Sequence, residues 1–287
     1  MLLVVNPISG GVDKSEFIEV TRHFATKENQ NLILYKTSGV ADISTIKMLY
    51  KQYKPERIII IGGDGTIKMV AEATESQDVI LGILPAGSAN GLAVDLDLMK
   101  TLEENLEIAF YNNYIELDTI VINNQNCFHL SDLGLNAELV KNYEKSSIHG
   151  KWGYFLQAIN TLMDLGEPFI ATITTVNQTI DCEARMIVIA NSKKYGTGIV
   201  INPDGVMNDG KFELVILKKL DLMIFGGIIT GNMPLNPEEI EILSTNKATI
   251  TTNFPVSFQI DGEYCGAETE LNITISSSKI KIAIPKF

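Results

Sequence analysis

The sequence predicts a two-domain α/β protein: a doubly wound α/β domain over residues 1–118, then a β-rich, sandwich-like domain over 119–287. Three observations carry this. The chain has 287 residues, too many for one minimal domain at about 150 residues each. Its first third alternates short apolar runs with amphipathic stretches. After about residue 112 the strand patterns follow one another with few helices between them.

The apolar runs of the first part are Leu2–Val5, Leu32–Tyr35, Ile58–Ile61 and Ile80–Leu84. Each is bounded by Asn, Pro, Gly or Lys, the pattern of strands buried on both faces of a parallel sheet. Between them, Phe17, Val20 and Phe24, then Ile43, Ile46, Leu49 and Tyr53, recur near the helical period. Asp13 and Asp42 are placed to cap these helices. In the second part, Ile115–Ile122, Phe169–Thr175, Ile187–Ala190, Phe212–Leu217, Thr249–Thr252, Val256–Ile260, Leu271–Ile275 and Ile280–Ile284 read as strands. Helices are expected around Ala137–Lys145 and Trp152–Asp164.

Composition narrows the function. Apolar residues make up 45% and charged residues 20%, enough for a folded core. A formal charge of −12 repels polyanions and argues against nucleic acid as a partner. Apolar stretches such as Leu222–Ile229 fall short of the roughly 18–20 residues of a membrane span. The N-terminus has neither the basic region nor the cleavage site of a secretion signal. Cys127, Cys182 and Cys265 form no disulfide framework, which suits a reducing cytoplasm. With His23, His129 and His149 they give no zinc spacing. No Gly-x-Ser-x-Gly elbow occurs.

Three strand ends carry the chemistry. Leu2–Val5 leads into Asn6-Pro7-Ile8-Ser9-Gly10-Gly11 and a helix near Lys14, which reads either as an ordinary βα turn or as an anion site of unpaired N–H groups. Ile58–Ile61 leads into Gly62-Gly63-Asp64-Gly65-Thr66, and a helix begins at once (Ile67, Val70, Ala71). Glycines at this density admit a ligand to the backbone and form a nest of N–H donors. Asp64 beside phosphate would be repulsive unless a metal bridged them, so it points to Mg²⁺ or to an approaching hydroxyl. Pro85-Ala86-Gly87-Ser88-Ala89-Asn90 follows a third buried strand, and Ser88 and Asn90 either cap the next helix or bond a phosphate or ribose. All three lie where an open α/β sheet gathers its ligand. Asp261-Gly262-Glu263 reads as a hairpin turn or as the source of a general base.

Two motifs are decoys. Gly205–Lys211 has Walker A spacing, but Phe212 and a strand follow it. Gly196-Thr197-Gly198 starts a dinucleotide pattern that Ile201 breaks.

Together these motifs resemble the diacylglycerol kinase catalytic-domain family, in its soluble bacterial lipid kinase branch. The resemblance rests on Asn6–Gly10, Gly62–Thr66 and Pro85–Asn90 in the family's order. It extends through Leu133-Gly134-Leu135-Asn136-Ala137-Glu138, Asp204–Phe212 with Asp209-Gly210, and Asp261-Gly262-Glu263, so it covers nearly the whole chain. It implies a Mg²⁺- and ATP-dependent lipid kinase with ATP in a cleft between its two domains, and with the last strand, about 280–287, packing back on the first domain. Asn6, Pro7, Ile8, Ser9, Gly10, Thr37, Gly62, Gly63, Asp64, Gly65, Thr66, Ile67, Lys68 and Ser88 would then line the ATP site. Asp209, with the carbonyls of Val206 and Lys211, would match a structural Mg²⁺ site. Glu263 falls at the family's proton acceptor, with Asp261 as the alternative. Ser88 stands where the family has Thr, and Gly91 where an Asp follows Asn90.

The resemblance implies that the acceptor is a lipid hydroxyl, as in diacylglycerol, a sphingoid base or phosphatidylglycerol. The alternatives are a soluble acceptor, as in NAD kinases, which share the Gly-Gly-Asp-Gly-Thr element, and a non-catalytic nucleotide or lipid sensor. The protein is expected in the cytoplasm with transient, peripheral membrane contact, and a homodimer is compatible with the sequence. For that contact the candidate is Lys145–Leu165, whose Trp152, Phe155, Leu156, Ile159, Leu162 and Met163 follow a helical period. They suit either an interfacial helix or a core helix.

Overall fold

The computed structural model describes residues 1–134, 137, 168–195, 199–219, 236 and 238–286. The expected helices around 137–145 and 152–164, Trp152 with the rest of Lys145–Leu165, Leu222–Ile229, Gly196–Gly198 and much of the 133–138 motif lie outside these residues. The chain divides into two compact units: Met1–Leu117 with Gly196–Gly198 and Ser277–Phe287, and Asp118–Tyr195 with Ile199–Ser276.

The first unit runs β1 (Leu2–Val5), α1 (Ser15–Lys27), β2 (Ile33–Lys36), α2 (Asp42–Tyr53), β3 (Arg57–Gly62), α3 (Asp64–Ala73), β4 (Ile80–Pro85), α4 (Gly91–Asp95), α5 (Leu102–Tyr111) and β5 (Tyr114–Leu117). The chain's last strand, β18 (Ile280–Ala283), completes its sheet in the order β2-β1-β3-β4-β18-β5. All pairings are parallel except β18 with β5. In the central strands β1, β3 and β4 the apolar runs are unbroken because both faces are buried, whereas β2, expected to be buried as well, lies at the sheet edge and is only half-buried. Leu3, Val5, Ile59 and Ile61 pack with Ile18 and Ala25 of α1 and with Leu106, Ala109 and Phe110 of α5. Leu2, Val4, Ile58 and Ile60 alternate with them and are also buried. The four isoleucines of β3 alone contribute roughly 6–12 kcal/mol as an upper figure. This rigid sheet holds the strand-end turns.

The helices differ in detail from expectation. The N-cap of α1 is Lys14 rather than Asp13, which stands one residue earlier and accepts the N–H of Ser15 at 3.0 Å. Asp42 does not cap α2 from outside: it is the first helical residue, and its carboxylate turns back to the preceding loop. Of the α2 stripe Ile46 is buried, whereas Ile43 and Tyr53 are exposed. Helix α5 is fixed by a capping box between Thr101 and Glu104.

The second unit contains β6 (Ile120–Ile122), β7 (Gln125–Cys127), β8 (Leu130–Gly134), β9 (Phe169–Thr175), β10 (Thr179–Ala184), β11 (Met186–Ala190), β12 (Lys194–Tyr195), β13 (Ile199–Val200), β14 (Phe212–Leu217), β15 (Ile240–Thr245), β16 (Lys247–Ile260) and β17 (Glu263–Ile275). Apart from the small β12–β13 pair, the strands join in the order β15-β14-β11-β8-β16-β17-β6-β7, with β9 between β10 and β16. Every pairing is antiparallel.

Two expected strands, Thr249–Thr252 and Val256–Ile260, are one long strand. Its first half pairs β9 and its second half pairs β8, with a register shift between Thr251 and Val256. Pro255, which has no N–H to give to a ladder, lies in that irregular stretch. Conversely, the expected strand Ile115–Ile122 is two strands in two units. Asp118 breaks it: its N–H donates to Met207 O (2.8 Å) and its carboxylate accepts the Gly210 N–H (2.6 Å), so the backbone leaves the ladder.

Candidate active site

In the first unit the three strand-end turns meet. The Asn6 N–H donates to Ile61 O (3.0 Å), and its side chain accepts the Ile8 N–H (3.2 Å) and donates to Thr66 Oγ1 (3.2 Å). Asn6 thereby ties the turn after β1 to β3 through its backbone and to the start of α3 through its side chain. Pro7 and Ile8 are exposed, and Ser9–Gly11 forms a single 3-10 turn. Gly10 and Gly11 both have φ +64°, a region that favours glycine.

Gly63 and Gly87 bring the other two turns backbone to backbone. A Cβ on Gly63 would lie 2.9 Å from Gly87 Cα and 3.4 Å from Ser9 Oγ, so all three turns touch here. The Gly63 carbonyl accepts the N–H groups of Thr66 (2.9 Å) and Ile67 (3.1 Å). Helix geometry leaves the Asp64 and Gly65 N–H groups without an intrahelical acceptor at the mouth of α3. Gly65 is exposed, and a Cβ there would meet no protein atom within 4 Å. Ile67 is buried and its side chain belongs to the core; Lys68 is half-buried.

Asp64 occupies a defined position. Its carboxylate accepts the N–H groups of Gly91 (2.7 Å) and Leu92 (3.1 Å), so it caps α4. Asn90, in the left-handed region, instead closes the preceding turn: its side chain accepts the Gly87 N–H (2.8 Å) and donates to the Gly87 carbonyl (3.0 Å). Ser88 is exposed at the tip of that turn. Thr37 follows β2, held by its N–H to Val5 O (2.8 Å). The loop after it is organised by Asp42, which accepts from Tyr35 Oη (2.5 Å), Ser38 N (2.9 Å) and Gly39 N (2.8 Å). Burial pushes this carboxyl up, but the hydrogen bonds from Tyr35, Ser38 and Gly39 outweigh it and hold it below the usual carboxylate range.

In the second unit Asp261 and Gly262 have φ 52° and 87° and form a two-residue turn closing β16 on β17, with Ile260 opposite Glu263. The Asp261 carboxylate accepts the N–H groups of Phe128 (3.1 Å), His129 (3.0 Å) and Leu130 (3.3 Å). Gly262 N–H donates to Gln259 Oε1 (2.6 Å), and Gln259 Nε2 donates to the buried Asp132. Asp261 is therefore an anchor of the turn, and Glu263, exposed at the start of β17, is the carboxylate the turn presents.

The loop carrying Val206, Asp209 and Lys211 hangs on Asp118 through Met207 and Gly210. Asp209 is exposed and accepts the Lys211 N–H (3.0 Å) with one oxygen. Among the described residues no group of three or more His, Cys, Asp or Glu side chains could hold a metal ion. The donors here are oxygens from one carboxylate and the backbone. That set fits a hard cation such as Mg²⁺, which keeps several of its waters.

The chain thus carries an α/β domain with its turns gathered at the strand ends and an antiparallel, sandwich-like domain. Residues 1–122 match the family described as diacylglycerol kinase catalytic domain, and residues 132–283 match the YegS C-terminal NAD kinase beta sandwich-like domain. The chain belongs to the diacylglycerol kinase catalytic-domain family. It is 28% identical over 234 residues to the Staphylococcus aureus (strain JH9) protein named "Putative lipid kinase", covering 78% of this chain and 76% of that one. In fold it is similar to "a putative diacylglycerol kinase" from Bacillus anthracis str. Sterne, at TM-score 0.80 and 20% identity over 99% of this chain and 96% of that one. It is also similar, more distantly, to an NAD kinase from Archaeoglobus fulgidus in complex with ATP, at TM-score 0.55 and 12% identity over 98% and 92%.

Proposed function

We propose that the chain is an ATP-dependent lipid kinase that transfers the γ-phosphoryl group to a hydroxyl of a lipid such as diacylglycerol. The observation that carries this reading is the junction of Ser9, Gly63 and Gly87 beside the open face of Gly65. Such a junction offers helix-mouth N–H groups to phosphate with no side chain in the way. Asn6 and Thr66 hold the first and second turns in register, Asp64 joins the second to the third, and Ser88 offers a hydroxyl at the rim.

In the transfer Glu263 takes the proton of the lipid hydroxyl. The lipid oxygen bonds to the γ-phosphorus, the bond from that phosphorus to the β–γ bridging oxygen breaks, and ADP leaves with the electron pair. Asp261 holds the turn that orients Glu263. A Mg²⁺ ion bound with ATP would neutralise phosphate charge, and a second held by Asp209 with the carbonyls of Val206 and Lys211 would stiffen that loop.

The lipid is met in this reading by transient peripheral contact; among the described residues no helix is long and apolar enough to cross a membrane. The likeness of the second domain to NAD kinases favours one alternative, a soluble acceptor. Incubation with ATP, Mg²⁺ and either diacylglycerol micelles or NAD, followed by mass spectrometry, separates the two. Phosphatidate supports the lipid reading, and NADP alone replaces it with the alternative.

A further inference from the structure

Lys14 sits just before α1, 3% exposed, beneath the turn that follows β1. Its ammonium donates to the carbonyls of Ser9 (2.6 Å) and Val12 (2.8 Å). An ammonium carries three N–H groups, so one has no acceptor among the described residues. No carboxylate there lies within ion-pair distance either. The neighbouring Asp13 is exposed, and its carboxylate accepts from the N–H and hydroxyl of Ser15. Burial lowers the Lys14 pKa more than Asp13 raises it.

A charge withdrawn from water is costly unless it is paired. Here the protein supplies two neutral carbonyls and no counter-ion, although the chain carries an excess of carboxylates that could have provided one. The same two bonds hold Ser9–Val12 closed around the ammonium, with Gly10 and Gly11 in their left-handed conformation and Ser9 Oγ at the three-turn junction. Lys14 thus combines an unpaired buried cation with control of a proposed phosphate turn.

We infer that Lys14 is a phosphate-binding residue whose counter-ion is the polyphosphate of the bound nucleotide, met by its remaining N–H. The inference rests on the nucleotide-site reading and adds to it the source of positive charge. The Asn6–Gly11 turn otherwise offers only neutral backbone, amide and hydroxyl dipoles.

The test is calorimetric titration of the full chain with ATP, inorganic tripolyphosphate and adenosine, for wild type, Lys14→Met and Lys14→Arg. Lys14→Met removes the charge while keeping the length of the side chain. It should weaken ATP and tripolyphosphate about 10- to 100-fold, the loss of one charge-assisted hydrogen bond, and leave adenosine unchanged. Lys14→Arg should retain most of the affinity. A folded Lys14→Met that binds tripolyphosphate and ATP like wild type overturns the inference and leaves the nucleotide site standing. Wild type that binds neither ATP nor tripolyphosphate overturns both. Should Lys14→Met fail to fold, isotope-labelled lysine Nζ in wild type decides the question. The Lys14 resonance, assigned by its absence in Lys14→Arg, must shift on saturation with tripolyphosphate, and an unmoved resonance overturns the inference.

Discussion

Gly65→Val separates the ligand's need for glycine from the fold's. Gly65 lies in the first turn of α3, is exposed, and a Cβ there meets no protein atom within 4 Å. Valine is a better helix residue than glycine by a few tenths of a kcal/mol, so the free protein should lose no stability, and its Tm should stay level or rise by about 1–2 °C. The branched side chain would instead fill the space through which phosphate oxygens reach the α3 mouth. Losing one or two charge-assisted hydrogen bonds at about 1.5–3 kcal/mol each weakens ATP by at least about tenfold, and by about 10²- to 10⁴-fold if both go. Calorimetric titration of ATP beside a thermal scan reads both quantities. A folded Gly65→Val with wild-type ATP affinity would refute the phosphate nest. Gly63→Ala is the contrast: its Cβ would press on Gly87 Cα at 2.9 Å, so it should lower Tm with or without ligand.

Glu263→Gln removes the proton acceptor at an exposed position, so kcat should fall by about 10²- to 10⁴-fold with Tm and ATP affinity unchanged. Asp261→Asn places an amide N–H₂ among three backbone donors, so it should lower Tm by several degrees; an unchanged Tm would contradict its anchoring role. Asp209→Ala should abolish the rise of Tm with Mg²⁺ through linkage, and identical responses of wild type and variant would exclude that site. Because the Asp42 carboxyl is held low in the folded state, its stabilisation is present above the ordinary carboxylate pKa and lost as pH falls through the lowered folded value. The Tm gap between wild type and Asp42→Asn should therefore close below about pH 4, and a gap that persists unchanged in acid would contradict the hydrogen-bonded carboxylate.

Much of the first domain was legible because a strand buried on both faces must be apolar throughout, as Leu2–Val5 and Ile58–Ile61 are. Helix α5 was not anticipated, although Thr101 and Glu104 spell a capping box, because Ile108–Tyr111 as an apolar run does not distinguish helix from strand. The break at Asp118 could not be read locally, since its partners Met207 and Gly210 are some ninety residues away. Thr249–Thr252 and Val256–Ile260 read as separate strands, yet a change of partner strand carries β16 through the residues between them. The site divides in the same way. Its glycine turns are visible because close approach and positive φ demand glycine in the sequence itself. The roles of carboxylates are not: Asp64 caps a helix 27 residues on, and Asp261 anchors to backbone more than 130 residues before it.

The central claim is tested most directly by transfer of label from γ-radiolabelled ATP in the presence of Mg²⁺. The acceptors are mixed micelles of diacylglycerol, a sphingoid base or phosphatidylglycerol, with NAD as the soluble acceptor, for wild type and Glu263→Gln. The account predicts label in a lipid product with wild type and its near-complete loss with Glu263→Gln. Label in NADP alone, no transfer to any acceptor by a protein that binds ATP, or undiminished lipid labelling by Glu263→Gln would contradict it.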